Sequence, residues 1–101
     1  MKDTLIKKWR DHGLINDKKV LEAFAATPRE QFVPAHLKSE AYCDAPLRIG
    51  FGQTISQPFT VLVMIELLSL NKTDKVLEVG AGSGYGAAII SQLSNQVFAT
   101  E

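Results

Sequence analysis

Apolar positions recur at helical spacing from the first residues. Leu5, Ile6 and Trp9 fall on one side of a helix predicted over 2–12, and Gly13 suits a left-handed stop. Asp17 is placed to cap a second helix with Val20, Leu21 and Phe24 as its buried stripe. Thr27-Pro28 ends it, because the residue before proline is pushed out of the α region. The segment 29–34 runs between two prolines and reads as a short turn or a single helical turn; no period is assignable over 38–44. Glycines and prolines are so dense over 45–58 that an irregular, shaped loop is expected there. Ser56 stands where a helix N-cap belongs, with Pro58 tolerated in the first turn. The stretch 59–70 is apolar almost throughout, with Glu66 its one charge, and predicts a largely buried helix. A turn at 71–74 then leads into a buried strand, 75–79. A helix follows over 85–93, with Ala87, Ala88, Ile90 and Leu93 available for packing, then a second strand over 96–100. Strand, helix and strand in this order predict parallel strands joined by a right-handed crossover.

Composition narrows the class. A chain of 101 residues, 46% hydrophobic and 22% charged, suits one small globular domain. Eleven basic and eleven acidic side chains cancel, so there is no basic excess for nucleic acid. No apolar run is long enough for a signal core or a membrane span, which makes a cytoplasmic protein the default and a membrane partner unexpected. Cys43 stands alone and supports neither a disulfide framework nor a metal site. Two parallel strands leave sheet edges and faces uncovered, so the sequence reads as the N-terminal part of a longer protein.

The chemistry concentrates around 76–85. A strand enters a turn with Gly80, Gly82 and Gly84 at alternate positions and leaves it as a helix, as in nucleotide-binding α/β units. The dinucleotide fingerprint fails in register, because the sixth position from Gly80 is Tyr85. Glu78, two residues before the first glycine, is a poor neighbour for pyrophosphate and a good one for a cation. S-adenosyl-L-methionine, with its sulfonium and ammonium, is such a ligand. Glu101 lies at the carboxyl end of the second strand, where an acid about 20 residues beyond the glycines can accept hydrogen bonds from both ribose hydroxyls.

The segment Gly50-Phe51-Gly52-Gln53-Thr54-Ile55-Ser56-Gln57-Pro58 closely resembles the signature loop of the protein-L-isoaspartate O-methyltransferases, the bacterial branch in particular. Val20-Leu21-x-Ala23-Phe24, Pro28-Arg29-Glu30-x-Phe32-Val33-Pro34, Ala41-Tyr42-x-Asp44, Pro46-Leu47-x-Ile49-Gly50 and the glycine turn fall in the same order as in that family. The resemblance implies a Rossmann-like class I methyltransferase α/β fold, truncated after the second strand, with an N-terminal helical segment. Residues 1–58 would form helices and a covering loop, and residues 59–101 the first half of the cofactor-binding domain. It implies methyl transfer from S-adenosyl-L-methionine to the α-carboxylate of L-isoaspartyl residues in damaged proteins. Ser56 falls on the family's active-site serine. Ile49, Gly50, Phe51, Gly52, Gln53, Thr54 and Ile55 fall on the loop covering cofactor and substrate. Glu78, Gly80, Gly82, Gly84 and Glu101 fall on the cofactor site.

The residue types agree with this chemistry. An acceptor carboxylate is already ionised near neutral pH and needs no strong base. Alignment and exclusion of water are what the site must supply. Arg29 and Arg48 could meet a substrate carboxylate or serve as surface and ion-pair residues. His12, His36 and Cys43 read as bystanders, and Trp9 as core or subunit contact. As a fragment, the chain is expected to bind cofactor weakly or not at all and to lack turnover. Another class I methyltransferase with a different acceptor, a non-catalytic binding module and an NAD-binding half-domain are the rival readings.

Overall fold

The computed structural model describes residues 1–101. Helix α1 (Lys2–Asp11) and helix α2 (Lys18–Ala26) pack against each other at the start of the chain. The expected stop is present, since Gly13 takes φ +66° just beyond α1. Asp17 caps α2, its carboxylate accepting from the Lys19 backbone N–H at 2.9 Å. Leu5 and Trp9 of α1 meet Val20, Leu21, Ala23 and Phe24 of α2 in the core. Trp9 stacks edge-on to Phe24 with ring centroids 5.1 Å apart, and Phe24 likewise to Tyr42 at 6.0 Å. Two 3₁₀ segments follow, Arg29–Phe32 and Ala35–Glu40, each opened by a proline whose fixed φ suits a turn start.

The segment expected to be irregular is instead a β-hairpin. Strand β1 (Leu47–Gly50) pairs antiparallel with strand β2 (Gln53–Ile55), with a register shift between Arg48 and Gly50. Gly50, Phe51 and Gly52 all take positive φ, at 103°, 54° and 69°, so the glycines that read as breakers are what closes the hairpin. Phe51 sits at its tip, fully exposed.

Helix α3 (Pro58–Leu68) holds its proline in the first turn as expected, but its cap differs. Gln57 occupies the N-cap position and makes no side-chain cap bond, and Ser56 does not cap. The carboxylate of Asp44 does that work from outside, accepting from the Phe59 N–H at 3.1 Å. Nor is α3 buried all round. Leu62 and Ile65 are in the core, while Met64 and Leu67 are 65% and 78% exposed, because no element covers that side. Ser69 ends the helix in the left-handed region, two residues before the expected stop.

Strands β3 (Lys75–Val79) and β4 (Gln96–Thr100) have the expected bounds and pair parallel and in register, Leu77 opposite Phe98. Helix α4 (Tyr85–Ile90) joins them, shorter than expected, and Leu93 lies in the turn behind it. Tyr85, Ile89, Ile90 and Leu93 supply its buried side, with Ile89 in place of the expected Ala87 and Ala88. The strand expected to be buried shows one face to solvent. Leu77, Val79 and Phe98 are 63%, 76% and 58% exposed, since helices pack on the other face only. No helix is long and apolar enough to cross a membrane.

Candidate functional site

The carboxyl end of β3, the start of α4, the flank of α3 and the end of β2 enclose a cleft of about 450 Å³. Of the residues singled out in the sequence, Thr54, Ile55, Ser56, Glu78, Gly80 and Gly82 line it together. The loop carrying Ser56 and the glycine turn thus meet, although the whole of α3 separates them in sequence. Others lie elsewhere. Ile49, Gly50, Phe51, Gly52 and Gln53 form the hairpin and its tip and do not line the cleft. Gly84 caps α4 with φ +85°, outside the lining. Glu101 is exposed, directly beyond β4, and Thr100 before it accepts from the N–H groups of Gly80 and Ala81, each at 2.9 Å. These two hydrogen bonds to one carbonyl place Glu101 beside the glycine turn without making it part of the cleft wall.

The glycine turn is demanded by backbone conformation. Gly80 and Gly82 take φ +75° and +58°, while a Cβ added at either would meet no protein atom. Side chains are disfavoured there by strain rather than by crowding, and the glycines leave the turn's surface bare and accessible. Behind it, the Tyr85 N–H bonds Ser83 Oγ at 3.2 Å.

Glu78 is the one acidic side chain of the lining, which holds no lysine, arginine or histidine. Its Oε1 is buried without a hydrogen-bond partner. Desolvation alone raises its pKa, because nothing nearby offsets the loss of water around the carboxylate. The pocket is therefore electrostatically unsuited to phosphate and prepared for a positive charge. Gly86 makes room for this side chain, since a Cβ there would come within 2.7 Å of Glu78 Oε2. Sequence reading overlooked Gly86; its continuation of the alternate spacing of Gly80, Gly82 and Gly84 was the available signal.

Ser56 is exposed at the mouth, its hydroxyl free of any bond within the protein and its carbonyl accepting from Arg29 Nη2 at 2.9 Å. Arg29 corrects the expectation of a surface or ion-pairing arginine. It is completely buried, and the chain's ion pairs involve only Lys7, Arg10 and Asp11. Tyr85, which the sequence reading placed at the end of the glycine motif and the start of a helix without a role at the site, stacks beneath the guanidinium at 4.9 Å. Burial raises the Tyr85 hydroxyl pKa strongly and keeps it neutral. Arg48 is exposed on β1, His12 caps the end of α1 in solvent, His36 is exposed, and none of the three lines the cleft.

Comparison with known proteins gives consistent findings. The sequence pattern defining the family Protein-L-isoaspartate(D-aspartate) O-methyltransferase (PCMT) matches residues 1–100. The chain is 51% identical over 96 residues to the Protein-L-isoaspartate O-methyltransferase of Anaeromyxobacter dehalogenans (strain 2CP-C), covering 95% of this chain and 46% of that protein. It is 59% identical over 87 residues to the protein of the same name from Methylorubrum extorquens (strain PA1), covering 86% and 38%. It therefore spans less than half the length of these relatives. A solved protein-L-isoaspartate O-methyltransferase superposes with TM-score 0.77 at 30% identity, over 98% of this chain and 32% of that one. A Plasmodium falciparum chain assigned to the same activity and solved with S-adenosyl-L-homocysteine superposes at 0.76 and 23% identity, over 95% and 45%, a likeness of fold.

Proposed function

The chain belongs to the protein-L-isoaspartate O-methyltransferase family, and from that premise we propose that it carries the donor cradle and the acceptor serine for methylating the α-carboxylate of L-isoaspartyl residues in proteins. The observation that carries this reading is the cleft itself. It joins Ser56 to the glycine turn, and its only charged side chain is an unpartnered carboxylate. S-adenosyl-L-methionine fits such a donor set, and when bound it supplies an electrophilic methyl group on a sulfonium.

The chain's own residues then have separate tasks. Glu78 offers its half-buried carboxylate to positive charge, and Gly80 and Gly82 present bare backbone to the ligand. Glu101, beside the turn, accepts from ribose hydroxyls. Thr54 and Ile55 close the side of the cleft nearest the acceptor, and the hairpin 49–53 acts as its cover. Ser56 donates its hydroxyl to the incoming carboxylate and holds one oxygen so that the other faces the donor. The acceptor is ionised at neutral pH, so no residue has to remove a proton, and the site works by alignment and exclusion of water. In this reading residues 1–58 are the acceptor-side part and residues 59–101 the donor-side part, working on damaged proteins in the cytoplasm.

The test is transfer of label from radiolabelled S-adenosyl-L-methionine to a peptide. Residues 1–101 replace the matching part of the Anaeromyxobacter relative, and an isoaspartyl peptide is compared with its aspartyl twin. Labelling of the isoaspartyl peptide alone, lost in Ser56→Ala, is the expected result. A folded chimera that labels both peptides equally, or neither, overturns the reading.

A further inference from the structure

A buried guanidinium joins the two sides of the cleft. Arg29 Nε donates to the Ala41 carbonyl at 2.6 Å, and Nη2 donates to the Ser56 carbonyl at 2.9 Å. The Arg29 backbone N–H donates to Tyr42 Oη at 2.9 Å, and the guanidinium carbon lies 4.9 Å from the centre of the Tyr85 ring. The side chain is 0% exposed and has no carboxylate partner. Its pKa falls with desolvation, yet arginine remains charged in proteins.

Burying a cation against neutral carbonyls and one aromatic face is costly, and apolar residues of similar volume often fill such a place with no loss of stability. What they cannot do is hold a carbonyl in a set direction. The two carbonyls and the ring meet the planar fork of arginine, a geometry a lysine ammonium cannot reproduce. Of the parts held, one is the backbone of Ser56, between the end of β2 and the start of α3. Another is Tyr85, the first residue of α4, directly behind the glycine turn.

We propose that Arg29 is the positioning residue that sets Ser56 at a fixed place relative to the glycine turn. The proposal rests on the reading of Ser56 as the acceptor-side residue. Arg29 itself stays sealed from the cleft and touches no reacting atom; it acts through the Ser56 peptide and the Tyr85 ring.

The experiment is backbone and arginine side-chain NMR on the 101-residue chain, wild type beside Arg29→Lys. In the wild type the Arg29 Nε–H is expected as a resolved, slowly exchanging resonance. In Arg29→Lys, the Ser56 carbonyl carbon and the amides of 54–57 and 85 are expected to shift. Their hydrogen exchange should quicken about tenfold more than that of α1 and β3–β4, the scale of losing one charge-assisted bond. An unchanged Ser56 carbonyl in folded Arg29→Lys overturns the proposal. So does a rise in exchange spread evenly over the chain, which is the signature of a residue serving stability alone. If the variant does not fold, the wild-type resonance decides: an Arg29 Nε–H exchanging as fast as that of exposed Arg10 overturns it. Titrating the chimera described above with S-adenosyl-L-homocysteine keeps the two readings apart. Absence of binding counts against the donor cradle and leaves the Arg29 result standing.

Discussion

At the scale of single residues, the informative pair is Glu78 and Gly86. A methyl group at position 86 would push the carboxylate from its place, and a carboxylate at the end of a flexible side chain can move. Gly86→Ala also removes the roughly 0.5–1 kcal/mol penalty of glycine in a helix. The expected outcome is a thermal midpoint of the chain equal to or above wild type, with weaker binding of S-adenosyl-L-methionine, read by calorimetry, when the change is carried in the chimera with the Anaeromyxobacter relative. Glu78 also sets a pH dependence. Its folded pKa is raised by burial, so the folded state holds the proton more tightly than the unfolded chain. Its contribution is most favourable at low pH and is lost as pH rises through the folded value. Glu78→Gln is therefore expected to raise the urea midpoint of the chain at neutral pH while weakening binding of the cationic cofactor by the chimera. Glu30 has the opposite sign. Tyr42 Oη donates to it at 2.5 Å and holds its carboxyl below the usual range. The stability it gives is present above the unfolded pKa and lost as pH falls through the folded one. Tyr42, pushed up to about 12 by burial first and by Glu30 second, stays protonated throughout. Tyr42→Phe is expected to flatten the acid limb of a urea-midpoint titration below about pH 4.3, the ordinary glutamate value.

At the scale of elements, the sequence was legible wherever the cause was local. The period of apolar residues, Asp17, Gly13 and the turn before Lys75 fixed both early helices and both parallel strands. What it hid depended on distant partners. The hairpin was obscured because Gly50 and Gly52 count as breakers until their positive φ is seen to close β1 onto β2. The cap of α3 comes from Asp44, outside the neighbouring residues where a cap is sought. Of the site, the motif residues were legible; their grouping was not, because Glu101 and the hairpin tip fall outside the wall that Ser56 and Glu78 share. Glu66, the lone charge of an apolar helix, also has a distant role. Its Oε2 accepts from the N–H groups of Asn16 and Asp17 at 2.7 and 2.6 Å, binding the start of α2 to α3. Glu66→Ala is expected to cost about 1–3 kcal/mol, the scale of hydrogen bonds to a charged group, with loss of protection at Asn16 and Asp17 in hydrogen exchange.

At the scale of the molecule, the radius of gyration of 13.1 Å matches the ~13 Å of a folded 100-residue chain. The body is nevertheless flattened, at 36 × 34 × 18 Å. The thin direction reflects a two-stranded parallel sheet with helices on one side only. Leu77, Val79 and Phe98 on the bare face and Met64, Leu67 and Leu68 on α3 remain in solvent. Unpaired strand edges and exposed apolar surface favour association between copies. Sedimentation is expected to show mass rising with concentration. Phe98→Lys is expected to suppress that rise while changing stability by about 0.5 kcal/mol or less, as for exposed positions generally.

The Arg29 clamp also has a consequence in time. Its partners lie 12 and 27 positions along the chain, with Tyr85 farther still, so no local turn can assemble it. The guanidinium has to shed its water to reach them all, so these contacts are expected to form after the folding barrier. Contacts absent from a transition state govern escape from the native state. Arg29 substitutions are thus expected to accelerate unfolding while leaving the refolding limb of the chevron nearly unchanged. The same side chain that orders the cleft would then set how long a folded molecule lasts.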